Sequence, residues 1–127
     1  MDHPYADLIG LRMTEQQAGR SRCVLEAGEK HLNPHRVVHG AILYAMADTG
    51  MGAALYPTLA QGEICATIQI TMNYFRPVHE GLVTCATEVV NRGKTVANLE
   101  SRLYVGDALV ASANGNYSIF RRREAGT

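Results

Sequence analysis

Between Pro34 and Pro57 lies HRVVHGAILYAMADTGMGAALY, residues 35–56. After Arg36 its only formal charge is Asp48, and isoleucine, leucine, methionine and alanine fall on every side of a helical wheel. A helix that is apolar all round is a buried helix. Ala41, Ala45, Ala47, Gly50, Gly52, Ala53 and Ala54 let neighbours pack close on several sides. The spacing predicts a helix from Val38 or His39 to about Tyr56, stopped by Pro57. One flat sheet face cannot cover such a helix. A curved sheet wrapped around it covers most of it, and whatever remains needs a partner subunit. A carboxylate in such a segment is expensive unless paired or used, so Asp48 is the residue to explain.

The rest of the chain supplies the sheet. His3–Leu11 reads as a short amphipathic helix with Tyr5, Leu8 and Ile9 near one face, ended by Gly10. Leu11–Gln17 and Arg20–Leu25 read as strands turning at Gly19. Leu25–Pro34 reads as loop. Ile64–Tyr74 alternates, with Ile64, Ala66, Ile68, Ile70, Met72 and Tyr74 on one face and Cys65, Thr67, Gln69, Thr71 and Asn73 on the other. Strands at Leu82–Val90, Thr95–Val105 and Ala108–Phe120 complete an antiparallel meander of four. Asn91–Lys94 reads as a hairpin loop with positive φ at Gly93, and residues 121–127 as a charged, frayed tail. The fold class is α+β.

Length and charge remove several function classes. The 127 residues suit one domain spanning 1–127, and 46% apolar content supports a core. Twelve basic and twelve acidic residues cancel, which argues against nucleic acid or an anionic membrane as the main partner. Cys23, Cys65 and Cys85 are odd in number and widely spaced, the pattern of buried thiols rather than disulfides or a zinc site. No metal-ligand cluster or glycine-rich phosphate loop is present. No basic n-region and no run of roughly 18 apolar residues occurs, so the expectation is a soluble cytoplasmic protein.

Asn33, then His39-Gly40-Ala41, Asp48, Thr67 and Asn73-Tyr74-Phe75-Arg76-Pro77 form a pattern that resembles the hotdog-fold acyl-CoA thioesterases, most closely the phenylacetate-pathway (PaaI-like) branch. The resemblance spans Leu8–Phe120. It implies a hotdog fold of one long buried helix wrapped by about six antiparallel strands. It implies acyl-CoA hydrolysis without a cofactor, and a homodimer, usually a dimer of dimers. The family has His-Gly-Gly where this chain has His39-Gly40-Ala41, which narrows the space above the helix start.

Thioester hydrolysis needs an activated water or nucleophile, a donor for the developing oxyanion and an acyl pocket. The helix start offers unsatisfied N–H groups and a positive dipole end, so the amide of Gly40 or Ala41 is the candidate donor. Asp48 is the candidate base or nucleophile; otherwise it caps a loop or pairs with an arginine. Eight residues of helix separate Gly40 from Asp48 by about 12 Å, too far for both to serve one thioester. Two antiparallel helices across a two-fold axis would bring each Asp48 to the other chain's Gly40.

By the resemblance, Asn33 is an active-site polar group; taken alone it is a turn residue. His39 takes a supporting role at the helix start. Thr67 is a candidate partner for Asp48 or the attacking water. For the coenzyme A phosphates, Arg92-Gly93-Lys94 form a candidate clamp, with Arg76 second and Arg121-Arg122-Arg123 as a further reach or simply a solvated charge run. Tyr44, Met46, Met51, Leu55 and Tyr56 are candidate acyl-pocket residues. Two other functions share the fold. An enoyl-CoA hydratase or dehydratase pairs an Asp with a His five residues on, where this chain has Ala53. A non-catalytic acyl-CoA-binding protein has no need of the buried acid.

Overall fold

A computed structural model describes residues 2–122. In chain order the elements are α1 (Pro4–Ile9), β1 (Leu11–Gln17), β2 (Arg20–Ala27), a 3-10 turn (Glu29–His31), α2 (Gly40–Leu55), a second 3-10 turn (Tyr56–Thr58), β3 (Glu63–Tyr74), β4 (Gly81–Arg92), β5 (Val96–Val105) and β6 (Ala108–Arg121). In α1, Pro4 occupies the first turn, His3 Nδ1 accepts from Ala6 N–H, and Gly10 ends the helix with φ of 77°. Ala6 and Ile9 face inward while Tyr5 and Leu8 are exposed, which corrects the face assigned from sequence. The 123–127 part of the expected tail lies outside the described residues. Arg121 is not tail: it closes β6 and its guanidinium donates to the Gln61 carbonyl at 2.8 Å.

The six strands form one sheet in the order β1-β2-β4-β5-β6-β3, and every neighbouring pair is antiparallel. This differs from a meander running β3 to β6. Instead β4 pairs with β2, and β3 lies beyond β6 at the far edge. Alternation tells which face a side chain takes, not which strand lies alongside. Placing β3 there extends the sheet around the flank of α2.

The core is where α2 lies against the inner sheet face. Met46, Met51 and Leu55 are fully buried with Leu25, Val83, Leu99 and Leu103. At the close of α2 the last carbonyls, which no helix can satisfy internally, take donors from the sheet and the next turn. Gln16 Nε2 donates to Ala53 O, Gly19 N–H to Ala54 O and Thr58 Oγ1 to Leu55 O.

Gly50 is where the helix backbone comes closest to the sheet. Ser21, Thr87 and Ser101 lie side by side in register across β2, β4 and β5. Ser21 Oγ donates to Gly50 O at 2.6 Å, and the Thr87 and Ser101 hydroxyls are bonded to each other at 2.7 Å. A Cβ on Gly50 would lie 2.7 Å from Thr87 Oγ1. Gly50→Ala is therefore expected to lower unfolding free energy by about 1–2 kcal/mol, overpacking outweighing the gain in helix propensity. Urea denaturation reads this as a lower midpoint at unchanged slope.

Sheet and core leave one side of α2 bare. Ala41 and Tyr44 are exposed and Asp48, Thr49, Gly52 and Ala53 are only partly covered. Residues three and four apart share a helix face, so Ala41, Tyr44, Asp48 and Gly52 make one stripe. The sheet thus covers most of α2 and leaves a remainder uncovered within one chain.

Candidate functional site

Asp48 projects from the middle of that stripe toward β3 and β6. Two hydroxyls meet its Oδ1. Thr67 Oγ1 donates at 2.8 Å, and the Tyr117 hydroxyl makes a short hydrogen bond to the same oxygen while lying 2.8 Å from the Asp48 backbone carbonyl. Thr67 and Tyr117 are direct partners in the β3–β6 ladder, so their side chains stand together on the inner face.

What aims Thr67 inward is a bulge. The register slips between Thr67 and Gln69, leaving Ile68 unopposed, and a bulge flips which residues face each way. Cys65 and Thr67 precede it on the inner side, and Ile70 and Met72 follow it there, packed against the core. The strict alternation expected over Ile64–Tyr74 therefore fails in its first half: Ile64 and Ala66 belong to the outer face.

The helix start is equally specific. His39 caps α2: its Nδ1 accepts from the Ala41 N–H at 2.9 Å, which places its own ring proton on Nε2. The Ala41 amide is thereby occupied, which narrows the oxyanion donor to Gly40. Among the described residues the Gly40 N–H has no partner. The Tyr74 hydroxyl donates to Gly40 O at 2.9 Å, and its ring lies where a Cβ on residue 40 would approach within 3.1 Å. Beside Gly40 opens a cleft of about 310 Å³ walled by Val37, Leu43, Tyr74, Phe75, Pro77 and Val78, with Arg76 in its lining.

Asn33 organises the loop before the helix. Its Oδ1 accepts from the backbone N–H of His35 and Val37, and its own N–H donates to Val37 O. Arg36 takes φ of 67° there. The side-chain oxygen is thus committed to the turn, and only the amide nitrogen is left to face a ligand.

The candidate coenzyme A clamp separates. Arg92 lies in β4, not in a loop. It donates to Thr58 Oγ1 at 3.0 Å and Thr58 O at 3.2 Å, and pairs with Glu63 at 3.5 Å. It ties β4 to β3 and to the turn after α2. Gly93 has no positive φ; it is glycine because a Cβ would collide with the Val96 carbonyl. Lys94 is exposed and makes no hydrogen bond among the described residues. Arg76 is at the opposite end of α2, in the cleft beside Gly40. Met46, Met51 and Leu55 are fully buried in the core and cannot touch an acyl group; Tyr44 and Tyr56 are exposed.

Tyr117 was not anticipated. The inner positions of β6 are Ala111, Ala113, Gly115, Tyr117 and Ile119. A lone tyrosine after three small residues was the available signal, because buried phenols need a partner. Burial and the adjoining Asp48 carboxylate hold its phenol well above the ordinary value, so it remains a donor. The cysteines are free thiols. Cys23 and Cys85 are buried partners across β2 and β4, and Cys23 is pushed up by its contact with Cys85 and by burial. Cys65 is only half-buried, not a core thiol. No helix among the described residues is long and apolar enough to cross a membrane.

The chain is similar in sequence and fold to known proteins. Over 118 residues the chain is 30% identical to the Pseudomonas aeruginosa protein named "Putative esterase PA0474", covering 91% of this chain and 88% of that one. It is 24% identical over 97 residues to 1,4-dihydroxy-2-naphthoyl-CoA hydrolase of Listeria monocytogenes, covering 76% and 79%. A mutant of phenylacetic acid degradation protein PaaI from Thermus thermophilus superposes with a TM-score of 0.85 at 26% identity, covering 94% of this chain and all of that one. The architecture is the hotdog fold. Residues 35–112, which hold His39, Gly40, Asp48 and Thr67, match the thioesterase superfamily along most of the chain's length, and to that family this chain belongs.

Proposed function

We propose that the protein hydrolyses acyl-CoA thioesters to the free acid and coenzyme A. Asp48 serves as base or nucleophile, and the Gly40 amide of a second copy polarises the thioester carbonyl. The observation that carries this reading is the bare stripe of α2. It presents a carboxylate with one unpartnered oxygen and, at the helix start, an unpartnered N–H about 12 Å away along the axis. Neither can reach the other's substrate within one chain. An antiparallel α2 from a second copy covers the stripe and brings the two groups together. The naphthoyl-CoA hydrolase name of one relative supports coenzyme A as the leaving group.

The apolar cleft beside Gly40 adjoins the point where the thioester would be held. Arg76, in that cleft, is the cation best placed for a phosphate of coenzyme A. Arg92 stays a structural tie.

Thiol release from a panel of aryl and aliphatic acyl-CoA thioesters tests the reading. Turnover on at least one class is expected, and a folded protein releasing no thiol from any of them would sink it. In the same assay Arg76→Ala is expected to raise KM several-fold, more at low salt than at high, because exposed charge contacts are screened. Arg92→Ala is expected to leave KM alone and lower the melting temperature.

A further inference from the structure

We propose that Tyr117 is a positioning residue: with Thr67 it pins Oδ1 of Asp48, so that Oδ2 alone is presented to the reacting thioester. This deepens the thioesterase reading and rests on it.

Tyr117 is 3% exposed, so its phenol needs a partner inside the protein. It lies between the backbone carbonyl and the carboxylate of the same residue, Asp48. Its single proton goes to Oδ1, and the buried ring behind it fixes where that oxygen can sit. Thr67 adds a second donor to the same oxygen from the neighbouring strand. Both donors converge on Oδ1, and Oδ2 accepts from no described residue. No buried polar side-chain atom lacks a partner among the described residues, so Oδ2 is open to solvent or substrate. An unpinned aspartate on a helix samples several rotamers, and only a narrow set brings its oxygen within reacting distance. The titratable groups facing Asp48 from the sheet are Tyr117 in β6 and Cys65 in β3. Burial raises both, so neither brings a competing charge.

Tyr117→Phe keeps the ring and deletes the donor. The expected result is a kcat about tenfold or more lower with KM within about twofold. Thermal midpoint and oligomeric state stay as in the parent. Thr67→Val, at an exposed position, gives a smaller fall in kcat, and Thr67→Ser restores the parent value. If Tyr117→Phe does not fold, the threonine pair decides by the same readouts.

Unchanged kcat in folded Tyr117→Phe would overturn the role. So would a fall in kcat that comes only with a lost oligomer or a matching rise in KM, since that marks a packing residue. Normal parent turnover alongside an indifferent Tyr117→Phe removes Tyr117 alone. A parent without turnover removes the thioesterase reading, and this role falls with it.

Discussion

Asp48→Asn is expected to lose about three orders of magnitude in kcat while keeping fold, melting temperature and oligomeric state. Asparagine has the same shape, and its side-chain oxygen can still accept from Thr67 and Tyr117, so the hydrogen bonds that hold residue 48 survive. Only the other atom changes. An amide nitrogen in place of Oδ2 can neither take a proton from water nor attack a carbonyl carbon. Positioned proton transfer contributes about 10²–10⁴ to an enzymatic rate, and a nucleophile's removal costs at least as much. The variant should also relieve any electrostatic cost of burying a carboxylate in the second copy's interface, so its stability should equal or exceed the parent's. Thiol release under saturating acyl-CoA, with thermal melts on the same preparations, checks both halves. Turnover within twofold of the parent would take Asp48 out of the chemistry.

The helix and its acid were legible because they depend on local rules. Two prolines bracket α2, its apolar positions are unbroken, and one carboxylate stands out against them. The helix start was legible for the same reason, although the observed first residue is Gly40 and His39 is spent as the cap. Pairings across the sheet were not legible. Ile68 looks like an ordinary member of an alternating strand, and nothing in Thr67-Ile68-Gln69 announces the slip that turns Thr67 toward Asp48. Tyr117 reaches Asp48 only because β3 pairs with β6, and strand order does not follow from hydrophobic pattern. Arg92 misled for a related reason: whether a cation beside a glycine belongs to the strand or to the turn depends on how far the ladder runs. The bareness of one side of α2 was foreseen in kind, since a single sheet cannot enclose an apolar helix, but which side depends on the sheet's curvature.

That bare side makes the strongest claim on a second copy, and Gly40→Pro allows it to be tested without disturbing Asp48. Proline deletes the one N–H that the helix start offers to a ligand. It is favoured at the first helical position, and the residue before it must be extended. His39, with φ of −58° and ψ of 134°, already is. The new ring approaches Tyr74, which is half-exposed and can yield. Losing one oxyanion donor is expected to reduce kcat by about 10²–10³. The informative experiment mixes this variant with Asp48→Asn. Each homodimer is dead at both sites. In a mixed dimer one site inherits both defects, and the other combines an intact Asp48 with an intact Gly40. Random exchange makes half the dimers mixed with one of two sites working, so activity should recover to about a quarter of the parent's. If Asp48 and Gly40 of the same chain served one thioester, no mixture could recover anything, because every chain carries a defect. Recovery that grows with incubation time and plateaus near that level establishes a site shared between chains. Silence after demonstrated subunit exchange refutes it.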